Sequence, residues 1–369
     1  MKILICSNTS WSLVNFRSGL IKRLVMEGHD VICVSPRDSY VNHLAMLNCR
    51  HVSIPIRSRS RNVLLDIFLF VKLFFVIRRE NPSVCFFFTI KPNIYGSLVS
   101  RLLKIPSVAN VAGLGTIFSL PGPITVGVKL LYRFAFVDSL RVFFQNEEDF
   151  ELFRTARIVN SSVAKRLPGS GVDTKFFAYE ESNRGDAVIE FLFFGRLLRE
   201  KGIQLFSEAA RIIKEQRADV KFSVLGFLDR ANPDSITKEE LDFWVSSGWI
   251  SYLGHTDDVR SHVYRASCVV LPSTYREGVP RSLLEAASMG RPIITTNAIG
   301  CRDAVIDGIS GYICRPNSKE HLIERIFEFL LLNQQQRIEM GKAGRKMIEE
   351  NFSEEVVLNE YLDILKFVD

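Results

Sequence analysis

The chain has 369 residues, 47% hydrophobic and 24% charged, with a net charge of +6. Single cores stop growing near ~250–300 residues, so this length predicts two domains, each with its own core. The seven cysteines are scattered, odd in number and without a Cys-x-x-Cys, which argues against a disulfide framework or a zinc site and for a reducing cytosol.

Met1-Lys2 runs straight into an apolar strand, with no signal-peptide pattern. From there short apolar runs alternate with helix-like segments. Lys2–Cys6, Val31–Ser35, Cys85–Thr89, Ser107–Val111 and Val142–Gln145 read as strands. Phe16–Glu27, Val41–Leu47, Val63–Arg79, Tyr95–Leu103 and Val126–Phe136 read as helices. This alternation predicts a parallel sheet with helices on both faces. The polar stretch Tyr179 to Asp186 contains no apolar run and reads as a linker, which sets the domains at 1–183 and 184–352. The alternation then restarts, with strands at Ile189–Phe194, Val220–Leu225, Ile250–Leu253, Cys268–Leu271 and Ile293–Thr295, and helices at Ile203–Glu215, Val259–Ala266 and Arg281–Ser288. A last helix, Ser353–Val368, is expected to pack back on the first domain. The fold class is α/β, with two tandem doubly wound Rossmann-like domains. Ligands of such sheets bind at the carboxyl ends of the strands, and the cleft between the two domains is the default site.

Charge is unevenly spread. Residues 1–166 hold 22 Lys and Arg against 10 Asp and Glu, a net of +12, and the remainder is net −6. A basic half predicts an anionic partner: a phosphorylated substrate, an anionic membrane surface or nucleic acid. No nucleic-acid motif accompanies it, so no nucleic acid is expected. Val63 to Ile77 (VLLDIFLFVKLFFVI) is apolar but contains Asp66 and Lys72, with Arg57, Arg59, Arg61, Arg78 and Arg79 beside it. A spanning helix needs about twenty apolar residues, so this segment is too short. It reads either as a core helix or as a helix lying on an anionic bilayer. Leu120 to Phe136, with Lys129 and Arg133, is a second such segment.

Two stretches of the second half carry chemistry. The strand Ile189–Phe194 runs into Gly195-Arg196-Leu197-Leu198-Arg199-Glu200-Lys201-Gly202 and then a helix. Arg196 and Lys201 beside a helix N-terminus make a diphosphate site, although basic loop residues taken alone are commonly just solvated. The strand Cys268–Leu271 feeds Pro272-Ser273-Thr274-Tyr275-Arg276-Glu277-Gly278-Val279-Pro280-Arg281-Ser282-Leu283-Leu284-Glu285. Pro280 suits a first helical turn, which leaves Glu277 in the loop and Glu285 on the helix. The two glutamates then reach different parts of one extended ligand. By itself such a pair is a surface accident.

Together the two stretches resemble glycosyltransferase family 4, the retaining enzymes of GT-B fold, whose signature is a strand-end E-x7-E with G-R-x4-K-G upstream. Pro168 to Phe176 (PGSGVDTKF), Tyr252 to Val259 (YLGHTDDV) and Gly300 to Gly311 (GCRDAVIDGISG) resemble further family segments in the same order. Asn15-Phe16-Arg17, Lys91 to Gly96 (KPNIYG) and Val111 to Phe118 (VAGLGTIF) are most similar to bacterial surface-polysaccharide transferases and to N-acetylgalactosaminyltransferases that extend undecaprenyl-diphosphate-linked sugars. The resemblance implies that Arg196 and Lys201 hold the donor diphosphate, that Glu277 faces the donor sugar and that Glu285 takes the ribose. These roles make Glu277, Arg196 and Lys201 the catalytic residues. Gly278, Val279 and Pro280 would line the sugar and phosphates, Tyr252 and Leu253 the base, and Ser12 a further donor contact. Acceptor contacts would be Asn15, Arg17, Lys91, Asn110 and Gly113. No metal or other cofactor is implied, because fixed cations and amide dipoles can stabilise the leaving diphosphate. The implied substrates are a nucleotide sugar, UDP-linked, and a lipid-linked saccharide acceptor of polysaccharide, O-antigen or capsule synthesis. The implied location is cytoplasmic, peripheral on the inner membrane.

The chain departs from the family pattern twice. Ser7-Asn8-Thr9-Ser10-Trp11-Ser12 stands where many members carry a Gly-rich loop. Many relatives also place a His near Asn110–Gly113, but this chain has none between His51 and His255, so Asn110 or main chain would stand in. Other functions suit the same architecture. A sugar-nucleotide epimerase needs an acid/base pair and no second substrate. A non-catalytic membrane-associated homologue is opposed by intact Arg196, Lys201, Glu277 and Glu285. An NAD(P) oxidoreductase lacks its G-x-G-x-x-G after the first strand.

Overall fold

The computed structural model describes residues 1–57, 60, 62–114, 122–181, 188–229, 232–276 and 278–368. The chain divides into two compact units, Met1–Ser170 with Glu354–Asp369, and Gly171–Ser353.

In the first unit, β1 (Lys2–Cys6), α1 (Ser10–Met26), β2 (Asp30–Ser35), α2 (Val41–Ala45) and β3 (Arg50–Ser53) build one side of a parallel sheet. α3 (Val63–Glu80) crosses back. β4 (Val84–Phe88), a π-helical turn Pro92–Gly96, α4 (Ser97–Leu103), β5 (Ser107–Val111), α5 (Pro123–Ala135), β6 (Arg141–Phe144), α6 (Glu147–Thr155) and β7 (Ala164–Arg166) build the other side. The strand order is β3-β2-β1-β4-β5-β6-β7, so it reverses between β1 and β4. The inner strands are largely apolar and buried because both faces are covered. Alternate residues serve opposite faces. Ile3, Ile5, Phe86 and Phe88 pack with Leu13, Leu20 and Leu24 of α1, whereas Leu4, Cys6, Cys85 and Phe87 pack with Leu69, Leu73 and Ile77 of α3. The C-terminal helix Glu354–Leu365 adds Val357, Leu358, Tyr361, Ile364 and Leu365 to the α1 face.

α3 combines both readings of its sequence. Leu69, Leu73 and Ile77 are buried, while Leu64, Ile67, Phe68, Val71 and Phe75 on the opposite side are exposed. The Asn62 side chain accepts the Leu64 N–H at its start, and Asn81, in the left-handed conformation, ends it. Asp66 is not a stray charge in an apolar helix. Its carboxylate pairs with the Lys91 ammonium at 2.6 Å.

The second unit holds β8 (Ile189–Phe194), α7 (Ile203–Gln216), β9 (Val220–Leu225), α8 (Lys238–Ser246), β10 (Ser251–Tyr252), α9 (Arg260–Arg265), β11 (Cys268–Leu271), α10 (Arg281–Ser288), β12 (Ile293–Thr296), β13 (Gly311–Cys314), α11 (Lys319–Leu331) and α12 (Gln334–Asn351). The order is β10-β9-β8-β11-β12-β13, again parallel, with the reversal between β8 and β11.

Three expectations need correction. The chain divides after Ser170, not at 183. Residues 171–177 are already tied to the second unit: the Val172 N–H donates to the Phe352 carbonyl, Phe177 lies in that core, and Arg345 and Ser288 donate to the Phe177 carbonyl. These partners are distant in sequence, so local polarity does not report them. α1 begins at Ser10 rather than Phe16, because Thr9 Oγ1 accepts the Ser12 N–H and the Asp38 carboxylate accepts those of Ser10 and Trp11. The sequence reading also leaves β3, β7, β13, α6, α8, α11 and α12 unassigned. β3 (RHVS) and β7 (AKR) are edge strands with polar, accessible residues, where apolar alternation is absent. α12 is largely polar and buries two glycines, Gly341 and Gly344, with Met340, Met347 and Ile348, and Gly341 is so close to the Gly290 carbonyl that a side chain would collide.

Candidate functional site

In the second unit the strand reversal brings the two chemically marked stretches together. β8 hands over to Gly195 at φ +141°, then to Arg196. A 3-10 turn, Arg199–Lys201, leads to Gly202 at φ +80°, which opens α7. A side chain at Gly202 would collide with the Pro272 carbonyl, so glycine is what lets the β8 loop lie against the β11 loop. The loops are joined at one atom. The Glu200 carbonyl accepts the Thr274 N–H at 2.8 Å and the Ser273 hydroxyl at 3.1 Å. From the other side, Asp234 accepts the Glu200 N–H at 2.8 Å, and both Glu240 oxygens take the Arg199 guanidinium at 2.6 and 2.7 Å.

Arg199 therefore holds the loop. The remaining bases of the stretch are Arg196 and Lys201. Arg196 is partly exposed and 3.8 Å from the Asp229 carboxylate, an ion pair beyond hydrogen-bond distance. Lys201 is partly buried and immediately precedes the α7 N-terminus, where no side-chain hydrogen bond caps the first turn. Uncapped N–H groups, the positive end of a helix dipole and the adjacent Lys201 give the start of α7 the chemistry to hold an anion.

The other expected donor residues fall around the same strand ends. Glu277 lies outside the described residues. Gly278, Val279 and Pro280 are buried in the turn that leads into α10. Glu285 stands one turn into α10 and accepts the Arg281 Nε–H at 2.8 Å. Burial pushes its carboxyl above the ordinary value, and Arg281 opposes that shift. The Tyr252 hydroxyl donates to the Gly226 carbonyl at 2.8 Å, and Leu253 N–H to Val224, so both close the β9–β10 end of the sheet. Among the described residues no group of three His, Cys, Asp or Glu side chains is placed to hold a metal.

The first unit uses its marked residues differently. Ser12 belongs to the α1 cap, its N–H on Thr9. The Asn15 amide donates to the Trp11 carbonyl within α1. Arg17 is buried, its guanidinium 4.2 Å from the centre of the Phe88 ring. Lys91 is committed to Asp66 and to the Ser60 carbonyl, at 2.6 and 2.8 Å. Asn110 is buried: its amide donates to the Tyr361 hydroxyl at 2.9 Å, its side-chain oxygen accepts from Gln145, and its carbonyl accepts from Asn93. Tyr361 is buried beside it, its phenol pushed up to about 12 by burial. Arg17, Lys91 and Asn110 thus each have partners within their own unit. Gly113 stands at φ +143° after β5, and the following residues 115–121 lie outside the described residues.

Sequence reasoning missed Asp38, Asn93 and Arg281. Asp38 and Asn93 act through partners far along the chain and left no local signal. Arg281 had one, its spacing of four from Glu285 on a helix.

The geometry agrees with what the chain is similar to. The family model described as "Glycosyl transferases group 1" matches residues 176–347, and "Glycosyl transferase 4-like" matches residues 2–146. A Campylobacter jejuni N,N'-diacetylbacillosaminyl-diphospho-undecaprenol alpha-1,3-N-acetylgalactosaminyltransferase is 26% identical over 381 residues, covering 99% of this chain and 98% of that protein. An Escherichia coli UDP-Gal:alpha-D-GlcNAc-diphosphoundecaprenol alpha-1,3-galactosyltransferase is 26% identical over 290 residues, 74% of this chain and 73% of that protein. Among solved structures, Anabaena HepE in complex with UDP superposes with a TM-score of 0.79 at 15% identity, covering 99% of this chain and 100% of that one. With one family model on each sheet and the fold shared end to end, the chain belongs to the family 4 glycosyltransferases of GT-B fold.

Proposed function

We propose that the chain is a retaining transferase that moves a hexose or N-acetylhexosamine from a UDP-linked donor to an undecaprenyl-diphosphate-linked saccharide. The observation that carries the donor half is the joining of the β8 and β11 loops at the Glu200 carbonyl. That junction holds the turn in which Lys201 stands just before the uncapped start of α7, with Arg196 earlier in the same loop. As the sugar leaves, negative charge grows on the diphosphate, and cations and N–H dipoles already in place stabilise it without reorganising. In this reading they do the work a metal does elsewhere, so activity should survive EDTA. Glu277 holds the sugar hydroxyls, Glu285 the ribose, and the β10 end the base.

The acceptor half leans on the relatives, two of which are named for undecaprenol-linked acceptors. A lipid-linked acceptor requires the enzyme to reach a bilayer, and the first unit has a surface suited to that. α4 packs against both α3 and α5, and all three leave large apolar side chains in solvent, among them Leu64 (75% exposed), Phe75 (62%), Leu102 (63%) and Phe134 (57%). Lys72, Arg78, Lys104 and Arg133 are exposed on the same helices or directly beside them. An apolar face with a basic rim fits an anionic bilayer surface. No helix among the described residues is long and apolar enough to cross a membrane. We place the enzyme as a peripheral protein on the cytoplasmic leaflet.

A thermal-shift screen of UDP-, GDP-, ADP- and dTDP-sugars tests the donor. A ligand at a hundred times its Kd stabilises the native state by about 2.7 kcal/mol, so the UDP-sugar should raise Tm and the others should not. A rise with a different nucleotide alone would overturn the UDP assignment. Flotation with anionic liposomes tests the surface: binding should be lost in Leu64→Ser/Phe75→Ser at unchanged Tm, and an absence of binding by the wild type would refute it.

A further inference from the structure

Glu285 has a partner that the donor reading does not explain. α10 is pinned by Leu283, Leu284, Ala286 and Ala287, all buried, so the backbone at Glu285 is held. A glutamate has three rotatable bonds beyond that backbone, so the carboxylate needs its own constraint. Arg281, four residues earlier on the same face, supplies the constraint by donating Nε–H to one carboxylate oxygen, Oε1, at 2.8 Å. The pair is largely withdrawn from water, with the side chains 22% and 14% exposed. An ion pair so placed is less screened than a surface pair and loses less to side-chain entropy on ligand binding. The second oxygen, Oε2, accepts no hydrogen bond among the described residues.

We propose that Arg281 is a positioning residue for the donor: it locks the Glu285 carboxylate so that Oε2 receives the ribose hydroxyls of the nucleotide. This rests on the reading of Glu285 as the ribose acceptor. The chemical class recognised is a vicinal diol, which donates two O–H groups where a deoxyribose would donate one or none. Arg281 touches the carboxylate, so its loss should act on what Glu285 recognises.

Calorimetric titration of UDP and of 2′,3′-dideoxy-UDP tests this with wild type, Arg281→Ala, Arg281→Lys and Glu285→Gln. A hydrogen bond to a charged group contributes about 1.5–3 kcal/mol, so the wild type should prefer UDP by roughly tenfold or more. Arg281→Ala should lose most of that preference while keeping its affinity for dideoxy-UDP within about twofold, a pattern set by one hydrogen-bonding group. Arg281→Lys should recover part of the preference. If Arg281→Ala discriminates like the wild type, Arg281 does not position Glu285. If it loses affinity for both ligands equally, Arg281 is merely structural and the proposal is overturned, with Arg281→Lys separating misfolding from a lost contact through its Tm. If the wild type itself fails to discriminate, or Glu285→Gln discriminates as well as the wild type, the ribose reading of Glu285 falls first.

Discussion

The two sheets have the same plan and spend their strand ends differently. Each is parallel and doubly wound, with one reversal of strand order, between β1 and β4 in one unit and between β8 and β11 in the other. At the second reversal, α7 starts without a side-chain cap, with Lys201 just before it. At the first, α1 starts with its amides already taken by Thr9 and by the Asp38 carboxylate. The same helix-terminal physics therefore leaves an open N-terminus in one unit and a closed cap in the other. A carboxylate built into the protein competes for the same N–H groups that a phosphate would use. The lesson is that a strand–loop–helix unit announces a ligand site only where its orphan groups remain orphaned.

Substitutions should separate the two ends by what they change. The largest effect is expected at Glu277→Gln, which should abolish transfer while leaving UDP binding near wild type; collapsed binding with normal turnover would show that its role is wrong. Lys201→Ala should lower turnover by roughly a hundredfold, the loss typical of one missing group at a developing charge. It should also weaken UDP far more than uridine, and equal losses for both would remove it from the diphosphate. In the first unit the effects should fall on stability. Asn110→Ala leaves the buried Gln145 amide and Tyr361 hydroxyl without a partner and should cost about 2–4 kcal/mol, read in denaturant melts. If acceptor KM rises instead at unchanged stability, Asn110 is an acceptor contact after all. Smallest is Asp38→Asn, which should cost about 1 kcal/mol and leave donor KM unchanged; a changed donor KM would reopen the α1 N-terminus as a phosphate contact.

The fold class was legible because strands buried on both faces, such as VCFFF at β4 and IEFLFF at β8, read as continuous apolar runs. The donor loops were legible because their chemistry is local: charge, glycine and helix start lie within a few residues of one another. What could not be read was made of long-range partners. Asn110 meets Tyr361 across 251 residues, and Lys91 meets Asp66 across 25, so a polar residue at a strand end looked available when it was already bonded. The unit boundary was missed for the same reason, since Val172 bonds to Phe352. The Arg281–Glu285 pair shows the opposite case, a helical spacing of four that was readable and went unused.

The central claim is transfer from a nucleotide sugar to a lipid-linked saccharide by the second unit's anion site. It is tested most directly by incubating the protein with UDP-N-acetylhexosamine or UDP-hexose and an undecaprenyl-diphosphate-linked saccharide, then reading the product linkage by NMR. The account predicts stoichiometric UDP and one new glycosidic bond with the donor's anomeric configuration retained. An epimerised UDP-sugar with no new bond, or a product of inverted configuration, would contradict it.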